Sequence, residues 1–244
     1  MVAAAIAIPV ASTAHNARVG LLAAAIALLA LERWVPGGRL VLYPLTLLAT
    51  WVHEMGHGLT ALFLGGGFDS LEVNADASGL AHTATPEGWR AAAVSAGGLL
   101  APPLVGAGVL AFARGPTRGA AVLLGFAGAL ALSAVLWVRS LIGLLTVLPL
   151  AAVLGVLGWR GGSLRLGIAQ FLGLIFALDT LSRFDYLFTS TATIGGEPVP
   201  SDVSGIANGL FPPMFLWGIA IGAIDLLLLG FGLRAAWGGG GARR

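Results

Sequence analysis

The chain has 244 residues, 57% of them hydrophobic and only 10% charged, with a mean hydropathy of +0.93. Soluble domains are about a quarter charged, so this chain cannot cover its surface with polar groups and reads as an integral membrane protein. It has no cysteine, which excludes disulfides and thiolate metal sites. Its 13 basic residues are all Arg, scattered singly or in pairs, and no basic stripe suits a nucleic acid.

Apolar segments run over residues 19–34, 40–64, 90–113, 119–138, 141–159, 166–188 and 213–233. Most have the roughly 17–25 residues a membrane-spanning helix needs. The chain therefore reads as one all-α polytopic domain over 1–244, with about seven transmembrane helices, or six if the marginal first segment does not cross. The apolar run 3–11 is too short to cross, and no basic residue precedes it as in a signal peptide. Glycine, at 37 residues, is about twice as frequent as usual, which suits helices packed closely in lipid. The seven Trp mostly flank the spans and read as interfacial anchors.

Two stretches are polar. In 65–89, the runs 68–74 and 80–85 flank Asp76-Ala77-Ser78-Gly79, the pattern of a β-hairpin. The stretch 189–210 is rich in Gly, Pro, Ser and Thr and reads as a loop, with Ser201-Asp202-Val203-Ser204 opening a short helix. With seven spans, Arg33, Arg39, Arg114, Arg118, Arg160, Arg165, Arg234, Arg243 and Arg244 fall on one side. The positive-inside rule makes that side cytoplasmic and puts both polar stretches outside.

One motif carries chemistry: His53-Glu54-Met55-Gly56-His57, inside the second apolar segment. Residues i and i+4 of a helix share a face, so both imidazoles can reach one metal ion, with Glu54 beside them as general base and acid toward a water molecule. Ionisable groups at that depth are costly and normally functional. Two histidines still need a third protein ligand to complete a catalytic zinc site. Asp202, Asp179 and Asp225 compete for that role. Asp202 lies on the side of the membrane where the second segment ends, Asp179 lies mid-way along the sixth span with Arg183 at i+4, and Asp225 suits a bundle-interior contact. His15 and His82 read as surface residues.

From Tyr43 to Trp217 the chain resembles the site-2-protease-type intramembrane zinc metallopeptidases, most closely their compact bacterial branch without a PDZ domain. The matching pieces are His53-Glu54-Met55-Gly56-His57-Gly58, Asp76-Ala77-Ser78-Gly79-Leu80, Ser95-Ala96-Gly97-Gly98-Leu99-Leu100-Ala101-Pro102-Pro103-Leu104, Val138-Arg139-Ser140-Leu141-Ile142-Gly143 and Ser201-Asp202-Val203-Ser204. The Asn-Pro…Asp-Gly motif of the wider family is absent. The resemblance implies Zn2+ held by His53, His57 and Asp202, with Asp179 as the alternative third ligand, and Glu54 as the catalytic residue. It also implies importance for Arg139, while Gly97 and Gly98 read as close helix packing that could leave room for a peptide.

The implied activity is hydrolysis of a peptide bond in or beside a transmembrane helix of another membrane protein, within a bacterial plasma membrane. The wider family turns its site toward the cytosol, opposite to the side the arginines indicate. Two rival functions use the same residues: a transporter or metal-handling protein, and an inactive protease-like scaffold.

Overall fold

A computed structural model describes residues 19–28, 30, 38–211 and 213–238. The run 3–11, His15, Arg18, Arg33, Trp34, Arg243 and Arg244 lie outside the described residues. The helices are α1 (Val19–Leu28), α2 (Gly38–Phe63), α3 (Trp89–Phe112), α4 (Pro116–Leu136), α5 (Leu141–Arg160), α6 (Leu164–Ser182), the short α7 (Asp202–Gly209) and α8 (Met214–Trp237). Between them lie two antiparallel hairpins, β1 (Gly67–Val73) with β2 (Gly79–Ala84), and β3 (Thr191–Ile194) with β4 (Glu197–Pro200).

Among the described residues five helices are long and apolar enough to cross a membrane: α3, α4, α5, α6 with the 3-10 turn that extends it to Phe188, and α8. The count of seven expected from sequence is not confirmed among the described residues. Of the first segment, residues 29 and 31–34 lie outside the described residues, and its described part includes the ten-residue α1. The 26-residue α2 has the length, but His53, Glu54 and His57 dilute its apolar character. The outward faces of the long helices are apolar, with Val135, Leu145, Val156, Leu227 and Phe231 all exposed. That surface suits lipid, and the protein is an integral multi-pass membrane protein.

α3 is the hub, packing against α2, α6, α7 and α8, and its small residues explain why. A side chain on Gly106 would strike the α6 backbone at Gly173 and Ala177, and one on Gly97 would strike Thr60 of α2. Close approach of this kind is how helices associate where lipid removes the hydrophobic drive. Pro103 has no N–H for the Leu99 carbonyl four residues back; Thr180 of α6 donates to that carbonyl instead, at 3.2 Å.

The first hairpin forms where the alternating runs predict it. It is pinned at its turn and along the β1 edge. Tyr43 and Thr50 of α2 donate to the Ala75 and Ala77 carbonyls of its turn, each at 2.8 Å. Along the outer edge of β1 the α4–α5 linker runs parallel to the strand: Leu71 N–H donates to Trp137 O at 2.8 Å, and Arg139 N–H to Leu71 O at 3.1 Å. Ser140 caps α5 through Gly143 N–H and bonds the Val73 backbone as well. The run Val138–Gly143 thus fastens β1 to the bundle.

The second hairpin was not foreseen; 189–210 read as a loop leading into a helix. The helix is there as α7, with Ser201 as its N-cap. Ahead of it, Gly195 and Gly196 take positive φ angles of 57° and 89°, as a two-residue hairpin turn requires. The hairpin turns meet, Gly195 N–H donating to Ser78 Oγ at 3.1 Å.

Two of the tryptophans read as interfacial anchors are internal. Trp51 is 5% exposed and donates to Ser133 Oγ at 2.9 Å, and Trp137 stacks on Phe68. Trp89 and Trp159 are exposed at helix ends, as anchors would be.

Candidate metal centre

α2 presents His53 and His57 one turn apart toward α3 and α7. Their Nε2 atoms lie 3.1 Å apart. Asp202, the first residue of α7, completes a triangle, with Oδ2 3.1 Å from His53 Nε2 and Oδ1 3.3 Å from His57 Nε2. All three ligand atoms lie within 4.8 Å of one another. Donors about 2.0–2.1 Å from a tetrahedral zinc stand about 3.3 Å apart, so the spacing and the two-imidazole, one-carboxylate chemistry fit such an ion.

The surroundings orient these groups. His57 Nδ1 lies 2.9 Å from the Val94 carbonyl, an arrangement that fixes the proton on Nδ1 and leaves Nε2 as the donor atom. Gly98 makes this possible, because a Cβ there would overlap the His57 ring. Ser201 takes the capping role at the start of α7, which leaves Asp202 free to face the histidines. Burial alone would push the Asp202 carboxyl up, but the nearby His57, the hydrogen bond with His53 and the Tyr186 hydroxyl outweigh it and hold the group down at about 2.

Glu54 is buried, 6% exposed, and sits beneath β2. Its carboxylate accepts from the Ala81 N–H, and a Cβ on Gly79 would lie 2.7 Å from Glu54 Cγ. The strand geometry decides which way this edge faces. Leu71 spends both backbone groups on the α4–α5 linker, so its antiparallel partner Ala81 must direct its own N–H and C=O out of the opposite edge of β2. By alternation Gly79 and Thr83 point the same way. That edge borders a cavity of about 370 Å³, whose walls include His53, Glu54, His57, Asp202 and, from the second hairpin, Ala192, Ile194 and Val199.

The other sequence candidates lie apart from the triangle. Asp179 lines the cavity but pairs with Arg183 at 3.2 Å, and it is not among the grouped ligand atoms. Asp225 is fully buried on α8. The Arg139 guanidinium bonds the carbonyls of Leu136 and Val138 at the end of α4, at 2.6 and 2.9 Å. It closes a helix end and does not reach a site carboxylate through these bonds. Gly97 and Gly98 act through close packing, against Thr60 and His57. His82 is half-exposed and lies 3.5 Å from Glu72.

The model of the peptidase M50B-like family matches residues 20–232, nearly the whole chain and every residue just described. The chain belongs to the peptidase M50B-like family. No match was found among curated proteins or among solved structures. Membership in a metallopeptidase family and the grouping of His53, His57 and Asp202 agree in making this region a candidate metal site.

Sequence reasoning missed Tyr186, whose hydroxyl donates to Asp202 Oδ2 at 3.0 Å, and the Val94 carbonyl behind His57. Gly98 gives a direct test of the packing in this M50B-like chain. Gly98→Ala is expected to displace the His57 ring and weaken metal binding at this candidate site at least about tenfold, as loss of ligand support does. Gly108→Ala, on the same helix with nothing within 4 Å of its Cβ position, is expected to leave it unchanged. Competition with a chromogenic chelator measures both.

Proposed function

We propose that this chain is an intramembrane zinc metalloprotease that hydrolyses peptide bonds in or next to transmembrane segments of other membrane proteins. The observation that carries the reading is Glu54, held beside the His53–His57–Asp202 triangle and under the outward edge of β2. A zinc ion in that triangle would supply Lewis acidity to a water molecule and to the scissile carbonyl. His53, His57 and Asp202 would hold the ion. Glu54 takes up the proton of the attacking water and passes it to the departing amine.

A transmembrane helix satisfies its backbone groups internally, so its peptide bonds are out of reach until it unwinds locally. Along the edge of β2, Gly79, Thr83 and the Ala81 carbonyl, whose own N–H goes to Glu54, offer an unwound segment backbone partners in the manner of strand addition. Ala192, Ile194 and Val199, which line the same cavity, give the segment apolar contacts. With α2 taken as a crossing helix beside the five candidate spans, both hairpins, the α4–α5 linker and α7 fall at the end away from Arg114, Arg118, Arg160, Arg165 and Arg234.

The test is cleavage of a transmembrane-helix substrate by purified protein in detergent or vesicles. Cleavage is expected to stop on zinc chelation and to return when zinc is restored. Cleavage that survives complete metal removal would reject the proposal.

A further inference from the structure

We propose that Tyr186 is a positioning residue for the metal centre: its phenol fixes the Asp202 carboxylate and so sets how tightly the ion is held. The inference rests on the reading of His53, His57 and Asp202 as zinc ligands.

The three ligands are not equally supported. His53 and His57 ride on the 26-residue α2, and His57 is locked from behind by Val94 O at 2.9 Å. Asp202 opens an eight-residue helix at the foot of a two-stranded hairpin. Ser201 ties down the backbone there, its N–H donating to Ser190 O at 3.0 Å and its hydroxyl to Thr189 O at 2.6 Å. These bonds leave the two side-chain torsions of Asp202 unrestrained.

Tyr186 supplies that restraint. Its hydroxyl donates to Asp202 Oδ2 at 3.0 Å and faces the Asp202 N–H at 3.4 Å. A phenol has one proton to give, and here that proton goes to the ligand carboxylate. A role on a substrate oxyanion would require releasing Asp202 first. The phenol is itself firmly mounted. Tyr186 N–H donates to Arg183 O at 2.8 Å, and its carbonyl accepts from the Thr189 hydroxyl at 3.0 Å. Its neighbour Leu187 is fully buried in a cluster with Leu99, Val203, Ile206 and Ile221, against which Tyr186 packs. Gly218 of α8 lies directly against the Leu187 carbonyl. The hydroxyl therefore links the α6–α8 side of the bundle to a ligand carried by a separate, short element.

The experiment is a double-mutant cycle read as zinc affinity, with Tyr186→Phe made alone and on Asp202→Ala, using chelator competition in detergent. Tyr186→Phe keeps the ring and its packing. Alone it is expected to weaken zinc binding roughly 10- to 100-fold, the usual effect of losing a group that orients a ligand. On Asp202→Ala it is expected to cause no further loss, because the group it acts through is gone. An equal loss in both backgrounds would make Tyr186 a packing residue and overturn the inference, as would unchanged affinity in the single variant. If the unmutated protein binds no zinc, the ligand assignment itself fails; if it binds zinc and only the cycle disagrees, Tyr186 alone loses its role.

Discussion

Glu54→Gln is expected to abolish peptide hydrolysis while leaving zinc in place. Glutamine keeps the size of the side chain and its carbonyl can still accept from the Ala81 N–H, so the hairpin should keep its seat. What it loses is the ability to take a proton from water and return it to an amine. Positioned acid–base groups contribute about 10²- to 10⁴-fold to rate, and Glu54 serves in both halves of the reaction. The expected result is at least a 10³-fold fall in cleavage, at the upper part of that range, with metal content equal to that of the unmutated chain. Equal cleavage by the two proteins would remove Glu54 from the mechanism. Loss of zinc along with activity would instead make it a structural support of the site.

The second large effect concerns the third ligand. Asp202→Ala is expected to weaken zinc binding by more than about 100-fold, beyond the roughly 10- to 100-fold that follows loss of a supporting group, and to eliminate cleavage with it. Asp179→Asn is the informative contrast, because Asp179 shares the cavity but spends its carboxylate on Arg183 at 3.2 Å. It is expected to keep the zinc affinity of the unmutated protein. Chelator competition on the two variants distinguishes the candidates directly. Reversal of the two results would move the third ligand to α6 and demand that the end of that helix rearrange around the ion.

What could be read from sequence divides along physical lines. His53 and His57 were legible because helical periodicity alone puts them on one face, whatever the helix packs against. The first hairpin was legible because alternation and a turn cluster are local signals. Asp202 was favoured by the family resemblance of Ser201-Asp202-Val203-Ser204; geometry permitted it but left Asp179 open, and in the structure α7 brings Asp202 beside the two histidines. The second hairpin carried a signal in Gly195-Gly196, masked by Pro198 and Pro200, since two prolines in four residues argue against a strand. They are tolerated because both sit opposite Thr191 and Thr193 in the register, alternate to the bonded pairs, so their missing N–H falls on the outer edge.

The rest depends on tertiary approach and leaves no trace in spacing. Nothing local says that Val94 presents its carbonyl to His57 or that Tyr186 reaches Asp202 across 16 residues. Arg139 drew attention as a charge at membrane depth, and from the α4–α5 linker its guanidinium finds partners in the Leu136 carbonyl at the end of α4 and the adjacent Val138 carbonyl. α2, the segment richest in ionisable groups, is less apolar than the five candidate spans because His53, Glu54 and His57 lie in it.

The most direct measurement is the metal content of the purified, folded protein in detergent, made alongside variants in which His53, His57 or Asp202 is replaced by Ala. One tightly held zinc ion per chain is predicted for the unmutated protein, with loss of tight binding in each of the three variants. A folded chain that takes up no zinc, or one whose zinc survives removal of these side chains, would contradict the account at its centre.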